Sequence, residues 1–134
     1  MQIAGNDYCC TAGGEQMTLD LSTIHQIYIA CGYTDMRKSI DGLAAIVQEQ
    51  FKMNPFERNL FLFCGRRRNR FKALVWDENG FLLLYKRIED GRFCWPNCDD
   101  DVRELSIQQL RWLLEGLSID QKNSLKSVYP TTTL

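Results

Sequence analysis

Apolar residues recur along this chain in two rhythms, at alternate positions and at steps of three or four, and each rhythm predicts an element. Residues 27–31 (IYIAC) are rich in β-branched and aromatic side chains and read as a strand that Gly32 ends. Thr34 or Asp35 can accept from exposed first-turn N–H groups and so cap a helix. Met36, Ile40, Leu43, Ala44, Val47 and Phe51 then share one helical face. Arg37 and Asp41 are spaced to pair on another face. Gly42 is unfavourable inside a helix and predicts close packing against another element. Asn54-Pro55 ends the helix, since the residue before proline avoids the α region.

A run of strands follows. Residues 60–64 (LFLFC), 70–76 (RFKALVW) and 81–88 (FLLLYKRI) are strand-like. They are separated by the turns GRRRN and DENG, and Asn79-Gly80 is a dipeptide that tight hairpins favour. Residues 92–95 could add a short strand. Residues 97–104 (NCDDDVRE) are acidic and read as a loop. Ser106 and Gln109 make a capping-box pattern before a helical face of Ile107, Leu110, Leu113, Leu114 and Leu117, with Gly116 near its end. The predicted fold is a single α+β domain, an antiparallel meander sheet of about four to five strands with two main helices. Residues 25–117 would form it, residues 1–24 a flexible N-terminal arm, and residues 118–134 a weakly structured tail. Met17 is an alternative start, because patterned sequence begins soon after it. Both faces of the third hairpin strand are apolar, so one needs a helix and the other a second layer or a second copy of the chain.

Composition changes this picture little. The chain has 134 residues, 45% hydrophobic and 25% charged, which suits one domain with a sizeable core. No apolar run approaches the roughly 18 residues of a membrane helix. The N-terminus lacks a basic region followed by an apolar one, so a cytoplasmic protein with no membrane partner is expected. Most of the cysteines (Cys9, Cys10, Cys31, Cys64, Cys94, Cys98) would then be reduced. Cys94 and Cys98, completed by Cys9, Cys10 or His25, would make a loose zinc set, without the two close pairs of a strong signature.

Charge is more informative in its distribution than in its sum. The net charge is −1, yet residues 58–92 hold nine basic side chains against four acidic ones. Arg66, Arg67, Arg68, Arg70 and Lys72 sit on a hairpin turn and its outgoing strand, with Arg70 and Lys72 on one face and Phe71 on the other. Guanidinium forks match phosphate oxygens, so the cluster is suited to nucleic acid. The plainer alternative is a solvated turn that guards a sheet edge against aggregation. Lys86, Arg87 and Arg92 could extend the surface or simply face water. Arg37 and Lys38 would begin a helix, where cations oppose the dipole, which makes them candidates for a partner contact.

Catalytic constellations are not evident. Asp99, Asp100 and Asp101 are consecutive in a loop and their side chains diverge; Asp77 and Glu78 belong to a turn. His25 is the single histidine, and Gly13-Gly14 lacks the Lys and Ser/Thr of a P-loop. Trp76, Trp95 and Trp112 could stack bases but lie in apolar runs that suit a core. No catalytic residue, metal or cofactor is expected.

Several ordered blocks together are distinctive. They are ACGYTDMRK and IDGL from residue 30, RRRNRFKALVWD from residue 66, Gly80-Phe81, Tyr85-Lys86-Arg87, Gly91-Arg92-Phe93 and LLEGL from residue 113. Over residues 27–117 the chain resembles the TnpB-type accessory protein (second open reading frame) of the insertion-sequence family sixty-six. The resemblance implies a non-enzymatic role in transposition, beside a separate transposase and another accessory protein of the same element. It carries over no catalytic residues. Departures from the family pattern are Cys64 and Gly65 before the arginines, Cys94, Cys98, and residues 1–16. DNA, at the transposon ends, is the partner that the cationic hairpin suggests. The alternative is a protein–protein adaptor of the transposase that makes no DNA contact.

Overall fold

A computed structural model describes residues 2–3 and 19–121. β1 (Gln2–Ile3) and β2 (Leu19–Asp20) form a small antiparallel pair, followed by a 3-10 turn at Leu21–Thr23. The main sheet holds β3 (Gln26–Ala30), β4 (Asn59–Cys64), β5 (Arg70–Asp77), β6 (Gly80–Arg87) and β7 (Val102–Leu105), in the order β6-β5-β4-β3-β7. The helices are α1 (Ile40–Glu49) and α2 (Ile107–Leu114). Cys9, Cys10 and Met17 lie outside the described residues.

The sheet is mixed, which corrects the antiparallel meander expected from sequence. β4, β5 and β6 do form an antiparallel meander, but β3 and β4 run parallel. A parallel neighbour needs a crossover connection, and α1 lies within it. All six residues of β4 are buried, as expected for a strand covered on both faces. Phe61 and Phe63 pack with Leu43 and Val47 of α1. Leu60, Leu62 and Cys64 pack with Leu110 and Leu113 of α2. Each apolar face therefore has its own helix.

Other differences have local causes. Residues 102–104, expected as loop, form β7 with Leu105 and pair with β3 through Ala30↔Val102 and Ile27↔Leu105. Their charges suit an edge strand, where they discourage pairing with another chain. Residues 92–95 join no ladder. Phe93 and Trp95 bury their side chains beneath the sheet, and the Trp95 indole N–H donates to the Ala30 carbonyl at 2.7 Å. In the hairpin after β5, Asp77 pairs with Gly80, so Glu78 and Asn79 are the turn residues, and Glu78 takes the positive φ (54°). Leu21 and Ile119, assigned from sequence to the arm and the tail, are both buried in the core. The capping box of α2 forms as expected, with Ser106 Oγ accepting from Gln109 N and Gln109 Oε1 accepting from Ser106 N. Gly116 follows in the left-handed conformation that commonly ends helices (φ 84°).

Cys31 and Cys98 form a disulfide, with Cα atoms 5.6 Å apart. This corrects the reduced state expected for these two and removes Cys98 from the zinc set. Cys64 is a free, buried thiol whose burial pushes its pKa up to about 12. Cys94 is free and exposed.

α1 begins later than Thr34 or Asp35 would set it. The Thr34 N–H donates to the Cys64 carbonyl at 2.7 Å, and Asp35 accepts from Arg37 N at 2.9 Å. Residues 31–38 thus cross the end of the sheet before Ser39 opens the helix with extended backbone. Gly42 faces this approach: an added Cβ would lie 3.2 Å from Lys38 Cβ, so its close neighbour is the preceding turn and not another element. Lys72, on β5, bolts the crossing down. Its ammonium donates to the carbonyls of Met36 at 2.8 Å and Lys38 at 2.7 Å. Burial lowers its pKa. Lys72→Ala, which abolishes both bonds, is expected to cost about 1–3 kcal/mol in urea unfolding. Wild-type stability in this variant would show that the bolt is idle.

Candidate nucleic-acid interface

Three connections gather where β3, β4 and β6 end and β5 and β7 begin: residues 31–39, 65–69 and 88–101. Backbone hydrogen bonds knit them together. Besides Thr34 N–H to Cys64, Phe93 N–H donates to Arg68 O at 2.7 Å, Ile88 N–H to Asn69 O at 2.8 Å, and Gly32 N–H to Pro96 O at 3.0 Å. The arginine turn is therefore braced on both sides. Gly65 makes the tight approach possible, because a Cβ there would meet Met36 Cγ at 2.7 Å. Arg68 closes the turn with its N–H on Gly65 O and a positive φ of 59°.

Arg66, Arg67 and Arg68 form an exposed crest. On one side lies a groove of about 660 Å³ lined by Tyr33, Asp35, Met36, Arg37 and Arg70. On the other lies a groove of about 820 Å³ lined by Arg92, Trp95, Cys98, Arg103 and Asp120. Arg66 Nη2 donates to the Tyr33 hydroxyl at 2.7 Å, and its guanidinium carbon sits 4.6 Å from the ring centroid. Among the described residues no ion pair involves Arg66, Arg67, Arg68 or Arg70. Uncompensated guanidinia crowded on one turn set up a positive local field.

The remaining expected cations divide. Arg70 and Arg87 are paired in register on the α1 side of the sheet, and Arg87 bonds Glu89 at 3.0 Å. Lys86 lies opposite Phe71, on the α2 side. Arg92 lines the second groove. Lys38 is exposed and lines a hollow with Tyr33 and Asp35, whereas Lys72 spends its charge on the two carbonyls of the crossing. Arg37 is 91% exposed and bonds Asp35, not Asp41, in a bidentate pair at 2.7–3.1 Å. Tyr33, Arg103 and Asp120, all lining residues, were not singled out in the sequence. Tyr33 sits among small and polar neighbours, and Arg103, which pairs with Asp120 at 2.7 Å, is hidden in an acidic run. His25 lies exposed near the opposite end, its N–H on Arg58 O. No group of three or more acidic, His or Cys side chains is placed to hold a metal among the described residues.

The family model described as IS66 Orf2 like protein matches residues 25–124, which include the whole main sheet and every residue of the crest and its grooves. The chain belongs to the IS66 Orf2-like family. Membership suggests an accessory role in transposition; the family is one of accessory proteins and not a known enzyme family. Two relatives in Sinorhizobium fredii (strain NBRC 101917 / NGR234) are similar to this IS66 Orf2-like chain. Uncharacterized protein y4hO is 40% identical over 106 residues, spanning 79% of this chain and 90% of the relative. Uncharacterized protein y4jC is 29% identical over 92 residues, spanning 69% and 79%. No solved structure matches. No helix among the described residues is long and apolar enough to cross a membrane.

The Asp35–Arg37 pair fixes the groove wall and has a pH signature. Hydrogen bonds from the Arg37 side chain, then from its backbone N–H, hold the Asp35 carboxyl at about 2 against an ordinary 3.8. Because the folded value is depressed, the pair is fully formed above the ordinary value and is lost as pH falls through about 2. In a carboxyl-carbon NMR titration of Arg37→Ala, the Asp35 midpoint should move up toward 3.8. An unmoved midpoint would assign the depression to something else.

Proposed function

We propose that this IS66 Orf2-like chain is a non-enzymatic, DNA-binding accessory factor that acts beside a separate transposase and the element's other accessory protein. One observation carries the reading: Arg66, Arg67 and Arg68 form a braced, exposed crest without an acidic partner among the described residues. Solubility alone does not call for three guanidinia fixed on one turn. A braced turn presents its charges without first having to be ordered, which lowers the entropic cost of binding. Arg70, Lys38 and Arg92 widen the surface, and Lys72 holds it in place. Phosphate contacts of this type position a duplex without reading its sequence. Choice of site and strand chemistry then fall to the transposase.

Fluorescence anisotropy with a duplex of the element's terminal sequence tests this. Affinity should fall steeply between roughly 50 and 200 mM salt, with a log–log slope of about −0.9 per phosphate contact. Arg66→Ala, Arg67→Ala and Arg68→Ala together should flatten that slope by about 2–3. DNA affinity indifferent to salt, or preserved in the triple variant, would overturn the reading. Absence of DNA binding with retained binding to the transposase would favour the adaptor role.

A further inference from the structure

The groove between Tyr33 and the arginine crest has a feature that duplex phosphate contacts leave unused. Tyr33 is the most exposed large apolar side chain among the described residues, at 62%. An aromatic ring so exposed contributes little to the core, yet it is held in place. The Arg66 guanidinium lies over one ring face at 4.6 Å and donates to the hydroxyl at 2.7 Å. The backbone is fixed on both sides, by Gly32 N–H on Pro96 O and by Thr34 N–H on Cys64 O. Gly32, with φ of 78°, makes the bend that turns the chain outward.

We propose that this groove takes an unpaired nucleotide of a DNA strand, with its base on the Tyr33 ring face that Arg66 leaves open and its phosphates on Arg66, Arg67 and Arg70. This rests on the DNA-binding reading above and names the form of DNA the groove prefers. Bases within a duplex already stack on each other, so a fixed ring beside a cationic wall adds affinity mainly for unpaired bases. The groove volume of about 660 Å³ lies in the ordinary range of small-ligand pockets. Its charges are also divided. Arg66, Arg67 and Arg70 line the crest side with no ion pair among the described residues, and on the side of Tyr33 Asp35 and Arg37 neutralise each other. The uncompensated charge lies on the crest side, so the strand's backbone runs along those arginines and its base turns toward the ring. A pocket of this kind fits strand ends or opened DNA, such as a transposition reaction produces.

The test compares oligothymidylate with a blunt duplex of the same length, using the full chain and anisotropy at one fixed salt concentration. The wild type should bind the single strand at least about five-fold tighter. Tyr33→Ala should weaken single-strand binding on the order of ten-fold and duplex binding less than about two-fold. Tyr33→Phe keeps the ring and loses only the bond to Arg66, so it should stay within about three-fold of wild type. Thermal melting checks that the variants fold. Photocrosslinking of wild-type protein to oligonucleotide carrying 5-iodo-deoxyuridine needs no variant and should label the peptide containing Tyr33. Equal affinity for the two DNAs, equal loss of both in Tyr33→Ala, or crosslinks confined to other peptides would overturn the pocket and leave the duplex reading standing. Binding to neither DNA would remove both.

Discussion

Burial of every residue of β4 is the constraint from which the rest of the architecture follows. A strand with apolar side chains on both faces must be covered twice. Phe61 and Phe63 take the α1 side, where Phe61 stacks with Tyr28 at 5.4 Å and Phe63 with Phe51 at 6.1 Å. Leu60, Leu62 and Cys64 take the α2 side, with Phe71 edge-on to Phe93 nearby at 5.3 Å. Each fully buried Leu or Phe contributes roughly 1.5–3 kcal/mol, so neither face could be left open to water. Covering both faces displaces the polar groups to the ends and edges of the sheet. One end carries the arginine crest and its two grooves. The other carries structural charge, such as Arg58 bonded to Asp77 at 2.7 Å.

The loops at the crest end of the sheet hold one another. Residues 31–39 are pinned by Thr34 to β4 and by Lys72 to β5, and the Cys31–Cys98 disulfide joins them to the approach to β7. The arginine turn is tied to residues 88–93 through Asn69 and Arg68. Lys72 shows why the type of a residue does not settle its role. It looks like one more cation of the cluster, yet it serves the backbone. Arg37 likewise belongs to a local turn with Asp35 and not to the helix.

The elements that local pattern dictates were legible in the sequence: β3 to β6, with small shifts at their ends, and α2 with its capping box. The parallel pairing of β3 and β4 was not, because pairing direction depends on the path of the chain. The unbroken apolar run of residues 60–64 was a sign of double-sided burial that points that way. β7 was masked by its charges, which an edge strand tolerates. The Cys31–Cys98 bond joins residues 67 apart, and no short-range spacing reveals such a contact. The arginine crest was visible because its residues are consecutive. Tyr33 and Arg103 were not, since each joins the site only through long-range packing.

The central claim is that this sheet end, and no other part of the surface, meets DNA. Mapping backbone amide shifts by NMR as duplex DNA is added tests it most directly. The account predicts perturbations concentrated in residues 31–39, 65–70 and 88–98. Perturbations centred on the opposite end, around residues 54–58 and the turn at Glu78 and Asn79, would contradict it.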